Sequence, residues 1–181
     1  MAFLGIEVPP EVGRLLTSLE IEGEREPLDQ LHITMVYFGS KTPLDVVMKA
    51  SEILHDLVKN EDHFTCSLDH IEHFEPSKHS DGKYPIICPV TSPALYKVRA
   101  KLAKSLDEAE IEYAKNFDFK AHVTLAYADE IPKVQKFAPL KWEVYEIVLW
   151  GGDSGPNRIS IRVPFRHGEL PLKVAERFAK G

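Results

Sequence analysis

Two short segments of the sequence each place a histidine and a threonine two residues apart inside an apolar, strand-forming stretch. Residues 31–37 read LHITMVY, and residues 121–127 read AHVTLAY. Alternate side chains of a strand share a face, so His32 and Thr34 point to one side, as do His122 and Thr124. Imidazoles exchange protons near neutral pH, and hydroxyls donate hydrogen bonds to anions. Two facing units therefore predict acid and base catalysis with oxyanion stabilisation.

A third segment, His63-Phe64-Thr65, has the same His-x-Thr spacing but different neighbours. A single match of this kind arises by chance about once in a chain of this composition, so we interpret His63 as part of an ordinary strand. The two matched segments agree on both sides of the motif and lie half of the 181-residue chain apart. Such a separation is typical of an internal duplication.

The paired segments resemble the motifs of the two-histidine (2H) phosphoesterase superfamily, which flank a cleft between two similar lobes. Residues 32–39, HITMVYFG, are similar to the first motif of the RNA 2′,3′-cyclic phosphodiesterases, also called 2′-5′ RNA ligases. Residues 119–125, FKAHVTL, are similar to the second motif. Ala121 stands where that subfamily usually has proline, and Tyr127 where it usually has arginine. Residues 142–149 resemble the late core strand of the family, so the resemblance covers nearly the whole chain.

The resemblance implies a metal-independent phosphodiesterase that hydrolyses a nucleotide 2′,3′-cyclic phosphate or a related phosphodiester, with no cofactor. One histidine would remove a proton from the attacking water, and the other would protonate the departing ribose oxygen. By resemblance His32 is the acid and His122 the base, although the likeness of the two motifs leaves the reverse assignment open. Thr34 and Thr124 would donate hydrogen bonds to the non-bridging phosphate oxygens, where charge develops.

Three alternative functions remain open on the sequence. The same four residues could cleave cyclic oligonucleotide signals, as some phage-encoded relatives do, or could join RNA ends in the reverse direction as a 2′-5′ RNA ligase. A chain that kept the fold and lost turnover would be a nucleotide-binding module. The presence of both complete motifs argues against this last alternative.

Candidate substrate contacts lie close to the motifs. Alternation places Phe38 on the histidine face, where its ring could stack on a base, whereas Tyr37 and Tyr127 share the parity of core residues. Tyr127 remains a candidate contact through its place in the family motif. Binding residues concentrate on loops, and the polar loop at 75–85 offers three further candidates: Lys78, Lys83 and Tyr84.

Other polar residues are predicted to be structural. Arg158, Ser160 and Arg162 share one face of a final strand, which we interpret as solvated, with a phosphate contact as the alternative. His70 and His73 would face opposite sides of one strand, and no histidine spacing matches a zinc pattern, so no metal site is expected. Cys66 and Cys88 lie in apolar runs and are predicted to be buried free thiols.

The charge and apolar composition of the chain limit the kinds of partner that it can bind. The formal net charge of −6 argues against a grip on long nucleic acid, which requires many cationic contacts, and favours a small nucleotide or the cyclic phosphate at an RNA end. No basic region precedes the first apolar stretch, and no apolar run is long enough to span a bilayer. We therefore expect a soluble, cytoplasmic monomer that does not bind membranes.

The pattern of apolar residues predicts an α+β fold in which each motif strand follows a helix. We expect one domain over residues 1–181, with two intertwined lobes, pseudo-two-fold duplicated strand-helix units, and two antiparallel sheets that face a central cleft. The alternating apolar residues occupy even positions at 142–144 and odd positions at 147–149. This change of alternation predicts a bulge near Tyr145 or Glu146. A turn at 151–157 and a short helix at 171–180 complete the predicted elements.

Overall fold

The structure is a computed structural model that describes residues 1–115, 117–152 and 158–166. The predicted helix at 171–180 lies outside these residues, as does most of the predicted turn at 151–157. The described strands are β1 (Ala2–Glu7), β2 (Glu24–Arg25), β3 (His32–Gly39), β4 (Phe64–His73), β5 (Tyr84–Pro89), β6 (His122–Ala128), β7 (Gln135–Val144), β8 (Glu146–Gly151) and β9 (Ile159–Pro164). The helices are α1 (Pro10–Thr17), α2 (Leu44–Val58) and α3 (Pro93–Glu108), with single 3-10 turns at Leu28–Gln30 and Lys78–Ser80.

Each helix begins at a proline-containing signal and buries one apolar face. Proline opens α1 and α3, where its missing N–H costs no intrahelical bond. The Ser92 hydroxyl accepts a hydrogen bond from the Leu95 amide at 3.3 Å and so caps α3. The faces turned to the core carry, among others, Val12, Leu16, Val47, Leu54, Leu95 and Leu102. None of the helices in residues 1–115, 117–152 and 158–166 combines the length and apolarity needed to cross a membrane.

The strands form one hydrogen-bonded path in the order β7-β4-β5-β6-β3-β1-β8-β9, with β2 added beside β6. The described ladder pairs along this path are antiparallel. The order is symmetric about the β3–β6 junction, because β1-α1-β3 on one side matches β5-α3-β6 on the other. The predicted α+β class is confirmed. The two predicted sheets meet edge to edge at this junction, where one residue pair, Ile33 and Val123, joins them.

The phase change near Tyr145 marks a strand boundary rather than the predicted bulge. β7 ends at Val144 and pairs with β4, whereas β8 begins at Glu146 and pairs with β1 and β9. The chain thus passes from one half of the sheet to the other at Tyr145. The two strands bury different faces because they have different neighbours.

A bulge interrupts β3 directly after its threonine. Gly5 of β1 is paired with Thr34, but the preceding residue, Leu4, is paired with Val36, so Met35 is an extra residue in β3. Met35 and Val36 are both buried. Side chains beyond the bulge therefore point to the opposite face from the one that simple alternation predicts.

The same irregularity occurs in β6. Ile87 of β5 is paired with Thr124, and Ile86 is paired with Ala126, so Leu125 is the extra residue. Leu125 and Ala126 are both buried. The two motif strands consequently share a bulge at equivalent positions as well as a sequence pattern.

Candidate active site

The four motif residues lie on one face of the sheet at the β3–β6 junction. Ile33 and Val123, which are paired there, have fully buried side chains. The residues on either side of them are partly exposed: His32, Thr34, His122 and Thr124. Extending the antiparallel register by one residue in each direction places each histidine beside the threonine of the other strand. The fold thus brings together the four residues that the motifs predicted, opposite the main core.

Both histidines have the same backbone partner. His32 Nδ1 lies 2.7 Å from the carbonyl oxygen of Gln30, and His122 Nδ1 lies 2.7 Å from the carbonyl oxygen of Lys120. A carbonyl oxygen can only accept, so Nδ1 of each ring carries a proton and donates it. Nε2 of each ring is then the nitrogen available for proton exchange.

Burial is the main influence on the pKa of both histidines and lowers it below the ordinary value of 6.5. For His32 the Gln30 carbonyl and the Glu26 carboxylate act in the opposite direction, while Arg158 lowers the pKa further. For His122 the Lys120 carbonyl raises the pKa, and the positive charges of His32 and Lys120 lower it. A carboxylate therefore favours the protonated form of His32, whereas both charged groups acting on His122 favour its neutral form.

Aromatic rings contact both imidazoles. The His32 ring centre lies 5.0 Å from that of Phe3 and 6.0 Å from that of Trp150. The Phe74 ring meets His122 edge to face, with centres 4.7 Å apart. These contacts restrict ring rotation and contribute to the burial that lowers both pKa values.

The bulges reverse the predicted orientation of the aromatic residues that follow the motifs. Tyr37 packs with Phe3 and Trp150, the rings that flank His32, so it lies on the histidine face. Phe38 packs against the main core, and its predicted place on the histidine face is wrong because Met35 shifts the alternation. Tyr127 is the equivalent of Tyr37 in β6. Burial and the nearby Glu26 carboxylate raise the pKa of Tyr127.

Glu26 is a site residue that sequence reasoning missed. Its amide donates to the Leu125 carbonyl at 2.9 Å, directly after β2 pairs Arg25 with Ala126. Its partly buried carboxylate raises the pKa of both His32 and Tyr127. Only the long-range pairing of β2 with β6 places it there, and the local sequence around Glu26 carries no motif that could have revealed it.

The candidate residues of the 75–85 loop have separate environments. Lys83 Nζ lies 3.4 Å from the Glu24 carboxylate. Tyr84 is partly buried, meets the His73 ring edge to face at 5.7 Å, and is paired with Ala128, next to Tyr127 along β6. Lys78 is exposed on its 3-10 turn. Tyr84 therefore lies in the sheet beside the end of β6 that carries Tyr127, while Lys83 is engaged by an acidic partner.

The amide of Ala121 has a role that proline could not fill. It donates to the Tyr96 hydroxyl at 3.0 Å, and Ala121 itself is fully buried. Proline has no N–H, so the alanine allows α3 to anchor the start of β6, one residue before His122.

The other histidines and the cysteines have different surroundings. Within the described part of the chain, no group of three or more His, Cys, Asp or Glu residues could hold a metal ion. His70 contacts Asp69 and Glu72 at 2.6 and 2.9 Å, and His63 contacts Glu143 at 2.7 Å. The two cysteine thiols are buried, and burial raises the pKa of each to about 12, which disfavours a nucleophilic thiolate.

Comparisons with known proteins identify a matching family model and solved structures of similar fold. The family model described as the 2′-5′ RNA ligase superfamily matches residues 9–156. A search of curated protein sequences found no significant match. Among solved structures, TT0787 of Thermus thermophilus is 20% identical, with a TM-score of 0.70 over 89% of this chain and 93% of that chain. E. coli LigT, complexed with 3′-AMP, is 18% identical, with a TM-score of 0.69 over 91% and 94%. At these identities the likeness shows a shared fold.

Proposed function

The chain belongs to the 2′-5′ RNA ligase superfamily, and from this premise we propose that it is a metal-independent phosphodiesterase that hydrolyses a nucleotide 2′,3′-cyclic phosphate or a related phosphodiester. The observation that supports this most strongly is the matched pair of hydrogen bonds from Nδ1 of His32 and His122 to backbone carbonyls. Each bond directs proton exchange to Nε2, so the site presents two imidazoles that can each give or accept a proton there.

In the proposed reaction His122 removes a proton from water as the water oxygen attacks phosphorus. The bond between phosphorus and one ribose oxygen breaks, and His32 gives its proton to that oxygen. The products are a ribose hydroxyl and a phosphomonoester, and the proton held by His122 returns to solvent and His32 is reprotonated. The Glu26 carboxylate, which favours protonated His32, supports this assignment of acid and base. Thr34 and Thr124 donate hydrogen bonds to the non-bridging oxygens.

We further propose that the substrate is small. The formal net charge is −6, Tyr127 occupies the place of the family's arginine, and Glu26 brings a carboxylate to the site. These features oppose the binding of an extended polyanion, because such binding depends on many cationic contacts. E. coli LigT was crystallised with 3′-AMP, a mononucleotide, and this supports a substrate of one or two nucleotides by analogy.

A substrate panel tests the proposal. The chelator-treated protein would be assayed with a 2′,3′-cyclic mononucleotide, an RNA ending in a cyclic phosphate, cyclic di- and trinucleotides, and 2′-5′ linked RNA ends. We expect cleavage of the cyclic mononucleotide with a shallow salt dependence, since each neutralised phosphate adds about 0.7 to the logarithmic slope for single strands.

Each of the other outcomes would contradict either the proposed substrate or the proposed mechanism. Preference for a cyclic di- or trinucleotide would favour the degradation of signalling molecules, and ready joining of RNA ends would favour a ligase. A steep salt slope with long RNA would contradict the small substrate. Loss of activity on chelation, with recovery on adding zinc or manganese, would contradict the mechanism.

A further inference from the structure

Two arginines near the end of the described chain have different environments. Arg162, in β9, makes a bidentate contact with Glu7 at 2.7 and 2.8 Å and also contacts Glu146 at 2.8 Å. Arg158 immediately precedes β9, is exposed, and has its guanidinium carbon 5.5 Å from the centre of the Trp150 ring. The first arginine is held within the protein by carboxylates, whereas the second rests on an aromatic face.

Trp150 belongs to the aromatic group that surrounds the acid histidine. Its ring centre lies 4.8 Å from that of Phe3 and 6.0 Å from that of His32. The positive charge of Arg158 also acts on His32 and lowers the pKa of that imidazole. The guanidinium is therefore presented at the histidine site by a buried tryptophan rather than by an ion pair.

Two other cations of the described residues, Lys120 and Lys83, are engaged by carboxylates. Lys120 acts on His122, but its ammonium group forms an ion pair with Glu72. Lys83 is paired with Glu24 at 3.4 Å. Arg158 forms no salt bridge with any carboxylate of the described residues, which are 1–115, 117–152 and 158–166. Within the described part of the chain, Arg158 is accordingly an exposed cation that acts on His32 and whose hydrogen-bond donors are available to a ligand.

We propose that Arg158 is a substrate contact that pairs with a non-bridging oxygen of the phosphate attacked at His32 and His122. The proposal rests on the proposed function and adds a residue that no motif identifies. Five N–H donors in a planar fork match phosphate oxygens, and stacking on Trp150 orients that fork before the ligand binds. As negative charge develops on phosphorus oxygens, the fixed guanidinium stabilises it.

The test compares Arg158→Gln with Arg158→Lys and with Arg14→Gln, an exposed arginine of α1 whose charge acts on neither histidine. For hydrolysis of a 2′,3′-cyclic mononucleotide, we expect Arg158→Gln to lower kcat/KM by at least about tenfold. Arg158→Lys should recover part of the loss, because it keeps the charge without the fork. Arg14→Gln should resemble the parent protein. Equal kcat/KM for the parent and Arg158→Gln proteins would overturn the proposal.

Binding measurements separate this proposal from the proposed function. Calorimetric titration with a nucleoside 3′-monophosphate and with the parent nucleoside requires no turnover. We expect Arg158→Gln to weaken binding of the monophosphate and to leave binding of the nucleoside unchanged. If both ligands weaken equally, Arg158 contacts the base or sugar and the phosphate contact is refuted. If the protein cleaves no phosphodiester but the monophosphate effect appears, the proposed activity fails and the contact stands.

A pH profile gives an independent readout of the same arginine. The charged or titrating groups that act on His32 are Glu26, Arg158 and, across the junction, His122. Removal of the positive charge in Arg158→Gln raises the pKa of His32, so the alkaline limb of kcat/KM should move to higher pH. Arg158→Lys should leave that limb in place. An unchanged limb in Arg158→Gln would place the guanidinium away from the site and contradict the proposal.

Discussion

The two histidines are alike in their hydrogen bonding and differ in the charges around them. Gln30 and Lys120 provide equivalent carbonyl acceptors, two residues before each histidine, so both rings have Nδ1 protonated. Glu26 then raises the pKa of His32, while cations lower that of His122. In the proposed mechanism, similar motifs perform opposite proton transfers, because neighbours outside the motifs give the two imidazoles different pKa values.

Removal of either imidazole should abolish most of the activity. We expect His32→Ala and His122→Ala each to lower kcat by at least about a hundredfold, the usual effect of losing a general acid or base. The double variant should lose little more, because the two groups act as a unit. His63→Ala, which has the same spacing outside the site, serves as the control and should retain activity. A single variant with near-normal turnover would exclude the two-histidine mechanism.

Glu26→Gln should change the pH profile in a defined direction. Loss of the carboxylate lowers the pKa of His32, and an acid catalyst with a lower pKa loses its proton at lower pH. The alkaline limb of kcat/KM should therefore move to lower pH, with both limbs read as properties of the coupled pair. Glu24→Gln, two residues earlier and paired with Lys83, is the control and should leave the profile unchanged. Movement of the acidic limb to lower pH, with the alkaline limb fixed, would instead identify His32 as the base.

At the scale of single elements, the motif strands depend on neighbours that the motifs do not include. Bulges at Met35 and Leu125 turn Tyr37 and Tyr127 towards the histidine face. Arg99 of α3 donates to the Met35 carbonyl at 3.3 Å, so a helix from one half supports the bulge of the other half. Helix α3 also holds the start of β6 through Tyr96. The geometry of the site is therefore shared among β3, β6 and α3.

Tyr96→Phe tests the anchor between α3 and β6. The variant leaves the buried Ala121 amide without its 3.0 Å acceptor, which should lower the free energy of unfolding by about 1 to 3 kcal/mol and reduce kcat through misplacement of His122. Tyr113→Phe removes an exposed hydroxyl that donates to Asp107 at 3.3 Å and is the matched control. Denaturant unfolding and kcat measured on both variants check this. Equal stability of the two variants would show that the Tyr96 bond does not support β6.

At the scale of the whole molecule, the two halves of the sheet are built from different parts of the chain. The half β3-β1-β8-β9 combines early and late segments of the chain, because β1 pairs with β8. The strands of the other half, β4 to β7, all lie between residues 64 and 144, and β4 pairs there with β7. Main-core residues come from both halves. Arg162 of β9 adds a polar connection, because it contacts Glu7 of β1 and the buried Glu146 of β8. Closure of the fold therefore brings the chain's beginning and its later strands together.

Arg162→Ala should destabilise the protein, because it removes the cation that contacts the buried carboxylate of Glu146. Loss of one partner from such a network costs about 3 kcal/mol in the free energy of unfolding, measured by denaturant titration. Arg166→Ala removes the exposed ion pair with Asp62 and is the control, with no measurable change expected. Similar midpoints for the two variants would show that the Arg162 network adds no stability.

The sequence alone determined the four motif residues and the elements that carry them. Alternation is a local property, so the pattern in β3 and β6 was reliable from each histidine to its threonine, before the bulge begins. The starts of α1 and α3 were likewise predictable, because proline and capping hydroxyls act within one helical turn. The duplicated phrase also indicated the family, because both halves carry it.

Tertiary structure decided the features that depend on pairing between distant segments. Simple alternation places Phe38 on the wrong face, because the bulge in β3 becomes apparent only when β1 is aligned with β3. Glu26 reaches the site through the pairing of β2 with β6, and the phase change at Tyr145 reflects a change of partner strands. By alternation Arg158 and Arg162 share one strand face, but Arg158 stacks on Trp150 whereas Arg162 contacts Glu7 and Glu146. Register, partner choice and charge environment are long-range properties, which no local pattern of residues contains.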